Sequence, residues 1–266
     1  MNGILPLYKP VGLTSHDCVY YMRKWTGQRK IGHTGTLDPG AEGVLPLCFG
    51  TATKAVPYLT EDDKEYEAEV TLGTATITED AEGEIVSEKK IDTPPDVKQL
   101  KEALLELTGT IQQVPPMYSA VKVNGRKLYE YAREGKEVER PKRTVTVYEL
   151  ELLDEAISFI DNRISFWIRV RCSKGTYIRT LAVDVGKSLG FPAHMSSLVR
   201  TRSGIFSSMD CIPFRDAEQR ARDGDLEKFL FSMDQALASF PQLIVDEDTE
   251  SKVAHGAVLP LPERMQ

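Results

Sequence analysis

The sequence predicts an α+β protein in which a mixed, largely antiparallel central sheet is flanked by helices. Three observations carry this. Apolar and polar residues alternate over Tyr66, Ala68, Val70 and Leu72, and again over Ile164, Phe166, Ile168, Val170 and Cys172, which is the two-residue period of half-buried strands. Apolar stripes with helical spacing follow each of them: Leu100, Ala103, Leu104 and Leu107, then Ile178, Leu181, Ala182, Val185 and Leu189. Strands and helices interleave without a regular βαβ rhythm, which argues against a doubly wound parallel sheet. With 266 residues, 41% of them hydrophobic, the chain can bury a substantial core.

Taken in order, Ser15 is expected to cap a helix that runs to Trp25, with Val19, Met22 and Trp25 on one face and Gly27 as its stop. Glycines 32, 35, 40 and 43 with Pro39 then interrupt every period, and residues 44–49 read as a buried strand. Residues 80–83 supply a turn. Pro94, Pro95 and Asp96 open the helix that carries Leu100, and Gly109 closes it. Residues 113–143, with Pro115-Pro116, Asn124-Gly125 and many charges, read as an ordered start followed by a mobile hairpin or loop. The strand around Phe166 carries one cationic face with Arg169 and Arg171. Gly175 ends it, and the next helix stops at Gly190 with Arg179 off its apolar stripe. After a helical patch at 215–239, residues 240–266 begin a new strand-and-turn pattern too short for a core of its own. A domain at 1–239 with an incomplete segment at 240–266 is expected.

Composition narrows the function. No apolar run approaches the roughly 18 residues that span a bilayer, so no membrane is expected. The opening Met1-Asn2-Gly3-Ile4 lacks the basic and apolar blocks of a signal peptide, and a cytoplasmic location is expected. Cys18, Cys48, Cys172 and Cys211 are far apart and only four histidines are present, so no metal site is expected; the cysteines read as small hydrophobes. The net charge of -7 is unevenly spread. Residues 61–106 hold 15 acidic and 5 basic residues, residues 122–143 hold 8 basic and 4 acidic, and residues 169–202 hold 7 basic residues against Asp184. Two basic zones on an acidic chain fit either selective phosphate contact or two solvated faces.

The most unusual segment is Gly32-His33-Thr34-Gly35-Thr36-Leu37-Asp38-Pro39-Gly40-Ala41-Glu42-Gly43. Glycine density lets backbone approach a ligand, while Pro39 biases Asp38 away from helical backbone, so one carboxylate is presented. A surface Asx turn is the plainer reading of an arbitrary Asp-Pro. The phosphate-cradling patterns G-x-x-x-x-G-K-[ST] and G-x-G-x-x-G are missing.

These residues resemble the TruB-type tRNA pseudouridine synthases, which isomerise uridine 55 in the T arm. The resemblance covers about residues 3–261. It runs through Lys9-Pro10-Val11-Gly12-Leu13-Thr14-Ser15, residues 32–46, Lys64-Glu65-Tyr66-Glu67-Ala68, Pro115-Pro116-Met117-Tyr118-Ser119-Ala120-Val121-Lys122, Gly175-Thr176-Tyr177-Ile178-Arg179 and Leu198-Val199-Arg200-Thr201. It implies the pseudouridine synthase fold and a cofactor-free isomerase that flips its target base. Asp38 is then the carboxylate beside C1′, acting as nucleophile or as base at C2′. Arg179 pairs with it, and Tyr66 stacks on the uracil.

By the same resemblance His33 occupies the space the base vacates, Leu198 forms an apolar wall, Lys9 and Pro10 form a supporting floor, and Tyr177 shapes the pocket. The segment bearing Lys122 closes over the T arm, Arg200 and Arg202 contact phosphates, and residues 240–266 resemble the start of a PUA domain. The implied partner is tRNA, with no obligatory protein partner, and a monomer is expected. Ile77 departs from a usually acidic family position and is expected to touch a turn and not the chemistry.

Rival readings are an RNA-binding or tRNA-folding protein with an idle site, a base-removing glycosidase, and the guide-RNA-dependent relative. The Asp38, Tyr66 and Arg179 set argues against the first. A single carboxylate argues against the second, since glycosidases use two. The lack of an extra N-terminal segment argues against the third.

Overall fold

The computed structural model describes residues 1–155 and 157–259. Buried β1 (Gly3–Lys9) leads into α1 (Ser15–Thr26). The cap of α1 is Thr14 and not Ser15: its hydroxyl accepts from the Asp17 N–H at 3.0 Å, and the Asp17 carboxylate accepts from the Thr14 N–H at 2.9 Å. Ser15 is thereby left for a contact in the site. Gly27 ends the helix in the left-handed conformation, as expected.

The glycine-rich loop lies between β2 (Ile31–His33) and β3 (Glu42–Phe49), which pair antiparallel. After α2 (Val56–Glu61) comes β4 (Lys64–Leu72), with Tyr66, Ala68, Val70 and Leu72 buried as the alternation predicts. Strands β5 (Thr74–Thr76) and β6 (Ile85–Glu88) form a hairpin around the expected turn. Asp96 and Gln99 build a capping box for α3 (Val97–Glu106), whose Leu100, Ala103 and Leu104 are buried. Gly109 opens β7 (Gly109–Gln113) instead of closing the helix, since Leu107 already caps it.

Within residues 113–143, β8 (Lys122–Val123) and β9 (Arg126–Lys127) form a hairpin whose Asn124 and Gly125 both have positive φ, the geometry a tight two-residue turn needs. A short helix follows, α4 (Leu128–Arg133), which the charged composition concealed. Leu128 is fully buried, and its N–H donates to the Val121 carbonyl at 2.8 Å.

The chain continues through β10 (Arg143–Leu152), β11 (Ser158–Ile160), β12 (Arg163–Cys172), α5 (Ile178–Ser188) and β13 (Ala193–Ser203). Then come β14 (Phe206–Ser207), β15 (Ile212–Pro213), α6 (Phe214–Asp223), α7 (Met233–Ala236) and α8 (Glu247–Ala254). Residues 240–259 hold α8, capped by Asp246, and no strand among the described residues, in contrast to the strand-and-turn expectation. Residues 260–266 of that expected segment lie outside the described residues. No helix among the described residues is long and apolar enough to cross a membrane.

The main sheet has the order β15-β1-β3-β13-β4-β12-β10-β7, with β2, β11 and β14 pairing onto it. All its pairings are antiparallel except β1 with β15 and β13 with β3, so the mixed, largely antiparallel sheet is as predicted. One apolar cluster joins β4, β12 and β13 to α3 and α5, and a second joins β1 and β3 to α1 and α6. Cys18, Cys48 and Cys172 are buried in this interior, where burial pushes the Cys48 and Cys172 thiols up to about 12; Cys211 is half-buried.

At the parallel β3–β13 junction the backbones approach so closely that only glycine fits at 43. Its φ is +110°, and an added Cβ would lie 2.2 Å from the Arg200 carbonyl oxygen. Gly43→Ala is therefore expected to lower unfolding free energy by about 2 kcal/mol or more, read by urea denaturation.

Candidate active site

The loop between β2 and β3 has no ladder to satisfy its backbone, so buried side chains do so. Ser15, at the start of α1, donates its hydroxyl to the Leu37 carbonyl at 3.2 Å and accepts from the Leu37 N–H at 2.8 Å. Lys9, fully buried at the end of β1, donates to the carbonyls of Pro10 at 2.9 Å, Leu13 at 2.6 Å and Pro39 at 3.4 Å. Arg200, on β13 and 1% exposed, donates to the carbonyls of Val44 at 2.7 Å, Gly35 at 3.2 Å and Thr36 at 3.5 Å. Residues on both sides of Asp38 are thus pinned from three elements.

Arg179 enters from the first turn of α5, whose capping residue Tyr177 is held by buried Gln113 through both its N–H and its carbonyl. The Arg179 side chain is 6% exposed, and its guanidinium uses its whole fork. Nε stands 3.0 Å from Asp38 Oδ2. Nη1 donates to the Thr78 carbonyl at 2.9 Å and lies 3.5 Å from Asp80 Oδ2, and Nη2 donates to the Tyr118 carbonyl at 3.0 Å. Burial raises the Asp38 carboxyl above the usual aspartate range; Arg179 opposes that shift and Asp80 adds to it. The side chain still meets solvent through the cleft mouth, with 42% exposure, while protein encloses its other sides.

This pair sits in a cleft of about 820 Å³. Asp38, Tyr66, Tyr177, Arg179, Leu198 and Arg200 all line it, together with Lys64, Tyr118 and Ser119. Burial raises the Tyr66 phenol, and Arg200 beside it pulls the other way. His33 lies outside the lining. Its Nδ1 accepts from the Gly35 N–H at 3.3 Å, which assigns the ring proton to Nε2, and burial lowers its pKa and favours the neutral ring. Lys9 and Pro10 also lie outside the lining; Lys9 reaches the loop at the Pro39 carbonyl, and the Pro10 carbonyl accepts from the same amine. A somewhat larger hollow, about 920 Å³, lies between β1 and α6 and contains none of these residues.

One expectation needs correction, and two others are refined. Arg200 is no surface phosphate contact: it is buried and committed to three carbonyls of the loop and β3. The cationic face of β12 is neutralised by its neighbours, with Arg169 at 3.2 Å from Glu67 of β4 and Arg171 at 3.0 Å from Glu149 of β10. Lys174 pairs with Glu61, Lys187 with Asp184, and exposed Arg202 lies 4.0 Å from Glu65. The turn beyond Ile77 does reach the site, through Thr78 and Asp80, although Ile77 itself is 49% exposed. Lys122 is exposed on β8, outside the cleft lining. Sequence reasoning also missed Gln113 and Lys64; Lys64 stands two residues before Tyr66 in a family-like block, but nothing in the chain told that its amine is buried.

Residues 23–178 match the family model described as TruB family pseudouridylate synthase (N terminal domain), and residues 179–238 match the tRNA pseudouridylate synthase B C-terminal domain. The chain belongs to the TruB family. It is 55% identical over 259 residues to tRNA pseudouridine synthase B of Bacillus anthracis, covering 97% of this chain and 84% of that protein. Identity to tRNA pseudouridine synthase B of Geobacillus thermodenitrificans (strain NG80-2) is 53% over 266 residues, covering 100% and 88%. A chain in the crystal structure of a Cbf5-Nop10-Gar1 complex superposes with a TM-score of 0.74 at 33% identity, covering 96% of this chain and 67% of that one. The two TruB matches meet between Ile178 and Arg179, yet β13 of the second part lies between β3 and β4 of the first. Both parts therefore build one sheet, and the site needs both.

Burial lowers the Lys64 ammonium to about 8, with Arg200 adding to the shift, although the Thr60 and Asp62 carbonyls accept from it at 2.8 and 2.5 Å. The ordinary value is 10.5. Between these values Lys64 binds more protons in the unfolded chain than in the folded one, so its own contribution to stability rises with pH, while above about 9 the raised buried thiols act the opposite way. Lys64→Met is expected to remove this contribution, so that the stability of the wild type relative to the variant rises with pH, as measured by urea unfolding of both at a series of pH values from about 7.5 to 10.5.

Proposed function

We propose that the protein isomerises uridine 55 to pseudouridine in the T arm of tRNA, with Asp38 as the acting carboxylate. The observation that carries this is the Arg179–Asp38 pair at 3.0 Å in a cleft also lined by Tyr66 and Leu198. The family membership supports the reaction, and the tRNA named for its relatives supports the substrate. A stand-alone enzyme working in the cytoplasm belongs to the same reading.

The reaction breaks N1–C1′, turns the uracil, forms C5–C1′ and releases the C5 proton while N1 gains one; no atom is added to the product. Asp38 either bonds C1′ and is then displaced by C5, or takes a proton from C2′ and returns it. Both routes require the ionised carboxylate, which Arg179 favours and aims. The base must leave its stack to reach the cleft, at a cost of about a few kcal/mol that burial between Tyr66 and Leu198 offsets. Enclosure by these side chains keeps water from a reactive C1′. Buried Arg200 and Lys9 hold the loop in place, while residues 122–143 and Arg202 supply positive charge toward RNA phosphates.

Asp38→Asn is expected to bind a T-arm stem–loop yet release tritium from 5-tritiated uridine at least about 10⁴-fold more slowly; appreciable turnover refutes the assignment. Arg179→Lys replaces a fork serving Asp38 and three other acceptors by a point charge, and about a 100-fold loss of kcat/KM is expected. Because Asp38 is raised by burial and acts ionised, the acid limb of kcat/KM should lie above the ordinary aspartate value of about 3.9. A pH–rate profile in single-turnover assays checks this.

A further inference from the structure

Two side chains that line the cleft have no part in what has been described. Thr34, 1% exposed, and Ser119, 6% exposed, each carry a hydroxyl shut off from solvent and without a hydrogen-bond partner among the described residues. Their backbones are held. The Thr34 N–H donates to the Pro46 carbonyl at 3.2 Å, and the next carbonyl, Gly35, is taken by Arg200. The Ser119 carbonyl accepts from the Tyr129 N–H at 3.2 Å, and the preceding carbonyl, Tyr118, is taken by Arg179. What remains free at each position is rotation of the hydroxyl itself about one side-chain bond.

A buried hydroxyl with no partner is costly, whereas valine at 34 or alanine at 119 would fill nearly the same space without that cost. The buried cations around them are already committed. Arg200 serves three carbonyls, Arg179 two carbonyls and two carboxylates, and Lys64 the Thr60 and Asp62 carbonyls. Thr34 stands in the loop that carries Asp38, and Ser119 stands next to the carbonyl that fixes Arg179. Both residues line the cleft, so turning each hydroxyl about its side-chain bond offers a nucleotide bound there an uncommitted partner.

We propose that the Thr34 and Ser119 hydroxyls hydrogen-bond the extruded nucleotide and position it against Asp38; this rests on the reading that the cleft takes a uridine. A hydroxyl both donates and accepts, so it matches the polar edge of uracil and the ribose 2′-hydroxyl alike. Both residues are positioning residues, and the loss of either is a loss of substrate contact and not of fold.

The test uses the full chain with Thr34→Val and Ser119→Ala. Thermal unfolding of each free variant is expected at or above the wild-type temperature, while kcat/KM for tritium release falls about tenfold or more. Thr34→Ser, which keeps the hydroxyl, is expected to recover most of the loss. Stem–loop binding is then compared with uridine and 2′-deoxyuridine at the target position. A variant that has lost a 2′-hydroxyl contact loses no further affinity on the deoxy RNA, and one that has lost a uracil contact loses the two effects additively. A lower unfolding temperature in both variants means the hydroxyls have partners in the free protein and overturns the inference. Unchanged kcat/KM in both overturns it too, while wild-type turnover leaves the proposed function standing. A wild-type chain that releases no tritium removes that function and this inference with it.

Discussion

The buried Arg179 guanidinium is the interaction on which the site depends. Out of water, it needs acceptors in the plane of its fork, and they come from three separate stretches of chain: Asp38, the turn at Thr78 and Asp80, and the Tyr118 carbonyl. Taking away one partner of a buried ion strands the others, so the arrangement behaves as a unit. Tyr118 lies just before the segment that forms β8, β9 and α4, and the Ser119 carbonyl is bonded to α4 itself. Arg179 and the basic segment thus bond to neighbouring carbonyls of one stretch of backbone.

A second layer of buried cations lies beneath this one. Lys9, Lys64 and Arg200 spend their charge on eight backbone carbonyls, four of them in the loop and the start of β3. A glycine-rich loop without a ladder owes its order to such donors, because its own sequence favours many conformations. The arrangement lets the loop be irregular, as a site for a nucleotide demands, without being loose. The surface cations of β12 meet a different end, since glutamates on β4 and β10 neutralise them. Basic runs in the chain are therefore a poor guide to where positive charge is presented.

The sheet explains why these parts converge. Its direction changes at the parallel pairing of β3 and β13, where Gly43 lets the backbone of Arg200 come close. The loop leaves β2 and enters β3 at that seam, and Tyr66 and Leu198 sit on adjoining strands β4 and β13. Loop, phenol and apolar wall meet because strands from distant parts of the chain lie side by side.

Periodicity over a few residues made β4, β12, α3 and α5 legible, and glycine density with Asp-Pro singled out the loop and Asp38. Motif resemblance, and not spacing, brought Tyr66, Arg179 and Leu198 to the same place. Those features were determined by the sequence because they depend on neighbours within about one or two turns or on residue types in a fixed local order. Only the tertiary structure decided that Arg200 and Lys9 are buried clamps, that Asp80 shares Arg179 with Asp38, and that Gln113 and Lys64 belong to the site. The physical reason is that the deciding partners are mostly backbone carbonyls, and the Thr78 carbonyl lies 101 residues from the arginine it binds. Every residue carries a carbonyl, so nothing in the chain marks which ones a folded guanidinium or ammonium will find.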